Sequence, residues 1–249
     1  MQELVYDEEF IVYSTESLNE FNTDFINHTR MCFDRFKDLF DIESLPKIDF
    51  YLFDDLEAYR EDYRKRLGKE SPEYSRGNFG KDSAHIVIDK DLLKSSDDYF
   101  KKARAIGAHE GFHIFYRDLI YSGSDRIVWF DEGAAQYFSN EKDFSSEDDF
   151  KKFYLNFRKG YKIINNLNER VQGNKSVPDD KIFMRKGVIN GYSISYLALR
   201  YLVDTKGEDY VKTLMRDKEK ILECGNTIIS DMMTHFDRVF ELDKLQEKE

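Results

Sequence analysis

His109-Glu110-Gly111-Phe112-His113 is the stretch from which the rest of the chain can be read. Tyr99 to Ile106 before it and Ile114 to Ile120 after it carry helix formers and no proline, which places the five residues inside one continuous helix. Residues four apart on a helix share a face, so His109 and His113 point their rings into one space. Two neutral imidazoles so placed are a pair of zinc ligands, each reaching a metal at roughly 2.0–2.1 Å. Glu110 is turned about 100° away and reaches past such a metal toward a bound water. Zinc lowers the pKa of that water toward ~7, and a carboxylate beside it takes the proton as the water attacks a carbonyl.

A catalytic zinc needs a third protein ligand and an open fourth position. Downstream, Trp129-Phe130-Asp131-Glu132-Gly133-Ala134-Ala135-Gln136-Tyr137 also reads as helix, and Glu132 follows His113 with 18 residues between. That length finishes one helix, turns, and brings a second helix back alongside it. Two histidines and a glutamate then face one another as a zinc set, one ion per chain.

HEGFH, the 18-residue interval and WFDEGAAQY together resemble the gluzincin metallopeptidases, notably their aminopeptidase-N-like and peptidase-MA-like groups. A third match is Tyr192-Ser193-Ile194-Ser195-Tyr196, running on to Tyr201-Leu202-Val203-Asp204-Thr205-Lys206-Gly207; the resemblance covers roughly residues 75–215. It implies a thermolysin-like catalytic domain, zinc held by His109, His113 and Glu132, and Glu110 as general base. It also implies Tyr192 as the phenol that hydrogen-bonds the tetrahedral oxyanion, and a peptide or protein as substrate. In the family an edge strand before the zinc helix pairs with the substrate backbone; by analogy that strand is Ala84 to Ile88, which equally reads as an ordinary sheet strand. The aminopeptidase-N-like enzymes carry a G-x-M-E-N segment whose glutamate holds the free amine. The corresponding RGNFGKDSAHIVID has none, which favours an endopeptidase or a narrow-specificity enzyme over a general aminopeptidase.

Other readings stand beside this one. HExxH arises by chance on structural helices, and a gluzincin-like chain can keep its zinc as a catalytically silent binding or regulatory module. Tyr192 is one of 16 tyrosines, and its neighbours Tyr196 and Tyr201 also read as core aromatics. Asp131 and Gln136 are candidate partners for the second ring N–H of a zinc-bound histidine, with surface exposure the alternative for Asp131.

At 249 residues, 41% hydrophobic and 15% aromatic, the chain can bury a substantial core, so wholesale disorder is excluded. With 38 Lys plus Arg against 49 Asp plus Glu, its net charge of −11 argues against nucleic acid or an anionic membrane as the partner. Cys32 and Cys224 form no disulfide framework and read as small apolar residues. No signal peptide and no apolar run of about 18 residues is present, so a cytoplasmic protein is the plain expectation; a chain whose export signal had been removed reads the same way. Oligomeric state is not legible.

Read in order, Glu9 to Ser14 is a strand, Leu18 to Phe40 a long helix capped by Thr15 or Ser17, and Ile48 to Phe53 a second strand. Asp54 or Asp55 caps a helix that Gly68 ends, Lys69 to Ser83 is a loop, and Ala84 to Asp89 a strand. His28 reads as a surface or core residue rather than a ligand, and nothing in its spacing marks His85 as a ligand. After the two motif helices come a helix from Ser145 to about Leu167 and a polar break from Asn168 to Asp180, the candidate lid. Helices follow at about 190–205, 208–222, and 227–244 after Gly225-Asn226. The expectation is one α+β catalytic unit over 1–249. A small N-terminal sheet packs on the zinc helix (1–140, including the Glu132 helix), and a mainly helical part (141–249) carries Tyr192.

Overall fold

The computed structural model describes residues 2–6, 9–71, 77–121, 126–160, 167 and 191–242. The segment read as a lid, 168–180, lies outside them. The described chain is α+β, mostly helical with one mixed sheet. Its backbone groups into two compact units, Met1–Ser122 with Phe138–Lys142, and Gly123–Tyr137 with Asp143–Glu249.

The first unit runs β1 (Gln2–Tyr6), β2 (Phe10–Ser14), α1 (Asn19–Phe40), β3 (Ile48–Phe53), α2 (Leu56–Leu67), β4 (Gly77–Phe79), β5 (Ser83–Val87), α3 (Lys90–Ser95) and α4 (Asp97–Tyr116). A π turn, Arg117–Tyr121, extends α4. The sheet order is β1-β2-β3-β5-β4: β2, β3 and β5 are parallel, while β1 and β4 pair antiparallel at the two edges. Parallel neighbours need helical crossovers, and α1 and α2 supply them on opposite faces. Phe50 of β3 meets Phe25 and Phe33 of α1. On the other face of the sheet, Phe53 and Val87 bury against Tyr59 and Tyr63 of α2.

The zinc helix expected from the sequence is α4, whose N-cap Ser96 accepts from Tyr99 N at 3.2 Å. Gly107 and Gly111 lie four apart on its face toward α1. A Cβ at Gly107 would stand 2.3 Å from Phe25 Cζ, and one at Gly111 2.9 Å from Phe33 Cε1. The two glycines are notches into which α1 sets its rings, and Phe36 against Phe112 and Phe33 against Phe115 complete the seam. His109 and His113 follow each notch by two residues, about 200° around the helix, and therefore face away from α1.

Several local expectations are corrected. Neither Thr15 nor Ser17 caps α1; a 3₁₀ turn at Glu16–Leu18 leads into it, and Ser17 donates to Asp54 instead. The loop Lys69 to Ser83 contains β4, too short at three residues to show a period. Ala84 to Ile88 is not an edge: β5 lies between β3 and β4, and β4 is the edge strand. Gln2–Tyr6 adds a strand that was not read. Asp55 capping Ala58 N at 2.7 Å and left-handed Gly68 (φ 64°) bound α2 as read.

The second unit holds α5 (Val128–Phe138, its last residue grouping with the first unit), α6 (Glu147–Gly160), α7 (Gly191–Lys206), α8 (Glu208–Leu214) and α9 (Lys218–Val239). The predicted 208–222 helix breaks at Met215–Asp217, where Asp217 caps a new helix by accepting from Lys220 N at 3.1 Å. That helix runs straight through Gly225-Asn226, where a boundary was expected, because Gly225 is buried in its packed face. Residues 128–137 of the Glu132 helix group with this unit rather than with the α/β part. Gly133 explains the association: a Cβ there would lie 2.4 Å from the Ser195 carbonyl oxygen, so α5 and α7 touch backbone to backbone. Among the described residues no helix is long and apolar enough to cross a membrane.

Candidate metal centre

His109 and His113 are buried, 7% and 3% exposed, and their Nε2 atoms stand 3.0 Å apart. Two Zn–N bonds of roughly 2.0–2.1 Å at a tetrahedral angle span about 3.3 Å, so one ion can bridge the pair with little rearrangement. Phe79 of β4 covers the His113 ring at 5.3 Å between centroids.

On its far side His109 presents Nδ1 to Glu141 Oε2 at 2.8 Å. A carboxylate there places the imidazole proton on Nδ1 and leaves Nε2 with its lone pair for a metal. Glu141 is enclosed, which raises its pKa. The adjacent His109 ring outweighs this, with Lys102 adding to it, and the carboxyl is held down to about 2. The sequence reading did not find Glu141. Its one signal is a lone glutamate at the turn after α5, which no spacing rule picks out. Of the partners considered instead, Asp131 is engaged elsewhere through its carboxylate, which pairs with Arg126. Gln136 Nε2 donates to the carbonyls of Glu132 (3.1 Å) and Tyr192 (3.0 Å).

Glu132 is buried at 8% exposure near the start of α5. The ligand atoms of His109, His113 and Glu132 all lie within 4.8 Å of one another, a group able to hold a metal ion. Two imidazole nitrogens and one carboxylate oxygen suit zinc and other borderline divalent ions. Arg126, just before α5, was also missed; its guanidinium pairs with both Glu132 and Asp131. Burial opposes its charge, yet the two carboxylates hold its pKa above the ordinary arginine value.

Glu110 is half-buried and faces β4: a Cβ on Gly77 would sit 3.4 Å from Glu110 Oε1. The absent side chain thus leaves the carboxylate room beside the edge strand. Tyr192 is the second residue of α7, 40% exposed, with its carbonyl bound to Gln136, one turn beyond Glu132 on α5. Tyr196 is buried, and burial pushes its phenol up to about 12, so it belongs to the core.

Of the other histidines and cysteines, His28, His85 and Cys32 are buried. His28 Nε2 is 2.7 Å from the Ser139 carbonyl. His85 stacks on Tyr51 at 4.5 Å. Cys32 is buried, its thiol pushed up to about 12 by desolvation. No protein-family model and no curated protein matches the chain.

Proposed function

We propose that this protein is a zinc-dependent peptidase of the gluzincin type, with a thermolysin-like arrangement of sheet, zinc helix and glutamate helix. The carrying observation is the buried group of His109, His113 and Glu132 within 4.8 Å, with Glu110 on the same helix turned toward an edge strand. A bound zinc would supply a water of lowered pKa and a Lewis-acid contact for the scissile carbonyl.

The chain's own residues supply the rest. Glu110 takes the proton from the attacking water and returns it to the departing amine, while Tyr192 donates its phenol hydrogen to the developing oxyanion. Glu141 orients His109 through Nδ1. The role first given to Ala84–Ile88 passes to Gly77–Phe79, because an extended peptide adds to an edge, and β5 has a neighbour on both sides. Since β4 reads Gly-Asn-Phe and offers no carboxylate to a free amine, internal peptide bonds or a narrow substrate range fit better than general aminopeptidase action.

The test is metal content together with peptide hydrolysis for wild type, His113→Ala and Glu110→Gln, all prepared without nickel affinity resin. About one zinc per chain is expected in wild type and Glu110→Gln and none in His113→Ala, with turnover in wild type alone. Zinc retained with no hydrolysis by wild type would leave a silent binding module. Failure to take up zinc at all would reduce HEGFH to a structural helix.

A further inference from the structure

Building on the peptidase reading, we propose that Arg66 and Arg117 are positioning residues that clamp the edge strand β4 in register beside Glu110 and His113. Three residues make a marginal strand, and β4 has a sheet neighbour on one side only, pairing Gly77, Asn78 and Phe79 with Ile86, His85 and Ala84. Its side chains alternate. Gly77 and Phe79 face α4, toward Glu110 and the His113 ring, which puts Asn78 on the opposite face of the sheet.

On that opposite face Arg66, from α2, donates through Nη2 to Asn78 Oδ1 at 3.1 Å and through Nε to Asp62 Oδ2 at 2.7 Å. The same Asp62 oxygen stands 2.9 Å from Nδ1 of His85, the cross-strand partner of Asn78. Asp62, Arg66, Asn78 and His85 therefore tie α2, β4 and β5 into one network. At the far end, Gly80 N closes the hairpin on the Ser83 carbonyl at 2.6 Å. Arg117, the first residue after α4, then donates through Nη1 to the Gly80 carbonyl at 2.7 Å and through Nη2 to the Lys81 carbonyl.

The two guanidinium groups thus hold β4 at its middle and at its C-terminal turn, one from α2 and one from the helix that carries His109, Glu110 and His113. Each spans two acceptors with a rigid planar fork, which a lysine ammonium cannot reproduce. A strand that receives a substrate backbone must keep its outer row of N–H and C=O groups fixed in height and register, since a one-residue slip turns every side chain to the other face. The clamp supplies that fixity where strand length does not.

The test uses the full-length, zinc-loaded chain with Arg66→Met and Arg117→Met, singly and together, and Arg→Lys at each position should the methionine variants fail to fold. Amide hydrogen exchange over residues 77–80 is expected to accelerate by about tenfold or more, with protection elsewhere unchanged. Zinc should stay near one per chain, and KM for a peptide cleaved by wild type should rise about tenfold while kcat moves less. Unchanged exchange at 77–80 in the double variant would overturn the clamp, as would acceleration spread evenly over the chain. Local acceleration in a protein whose wild type cleaves no peptide would sustain the clamp and remove the peptidase reading. Cleavage with KM and exchange both unmoved would do the reverse.

Discussion

Gly133→Ala is the sharpest test of how the Glu132 helix is seated. The new Cβ would stand 2.4 Å from the Ser195 carbonyl oxygen, 2.9 Å from its carbonyl carbon and 3.3 Å from Leu199 Cβ. Ordinary van der Waals contact begins near 3.4 Å. The obstacle is α7 backbone, which has no rotamer to change, so α5 and α7 must separate locally by about 1 Å. Opening a close-packed seam against rigid backbone falls in the upper part of the overpacking range, about 2–3 kcal/mol, and replacing glycine within a helix returns about 1 kcal/mol. A net loss of about 1–2 kcal/mol is expected, which at a urea m-value of about 3 kcal/mol/M lowers the midpoint by roughly 0.3–0.7 M. The assay is urea unfolding followed by circular dichroism, with zinc chelated so that metal binding does not mask the change. Because Glu132 directly precedes Gly133, zinc affinity should weaken as well. A midpoint equal to or above that of wild type would show that α5 and α7 do not meet at Gly133, and the explanation for the grouping of α5 with the C-terminal helices would fall.

Glu141→Gln keeps the shape of the side chain but removes the charge facing His109 Nδ1, and should weaken zinc binding by about 10–100-fold in a chelator competition; unchanged affinity would refute the assignment. Tyr192→Phe should retain zinc and fold while lowering kcat by about 10²–10³, measured on the peptide that wild type cleaves best; full activity would return Tyr192 to the ordinary surface tyrosines. His85 makes stability depend on pH. Burial, helped by Arg66 and opposed by Asp62, lowers its pKa from 6.5 to about 4. The unfolded chain therefore takes up this proton well before the folded one does. Its stabilising share is complete above pH 6.5, declines as pH falls from 6.5 to 4, and changes no further below that, a loss on the order of 3 kcal/mol. His85→Phe should flatten the melting temperature across that window, and an identical slope in the variant would dismiss the effect.

Much of this was legible in the chain because it is local. Helical periodicity and the absence of proline placed His109 and His113 on one face of α4, and Asp55 and Gly68 marked the ends of α2 through capping chemistry that acts within one turn. The strands Phe10–Ser14, Ile48–Phe53 and Ser83–Val87 announced themselves by β-branched and aromatic content. Tertiary structure decided what depends on partners distant in sequence. A three-residue strand has no period, so only pairing with β5 reveals that β4, not Ala84–Ile88, is the edge. Gly225-Asn226 looks like a stop until Gly225 is seen buried within α9, where packing overrides propensity. Glu141 and Arg126 carry no motif; their roles exist only because folding sets a carboxylate behind His109 and a guanidinium against Glu132. Spacing specified which residues could meet on a helix, and long-range packing specified which groups stand behind them, because hydrogen-bond partners of a buried side chain are chosen by space rather than by sequence distance.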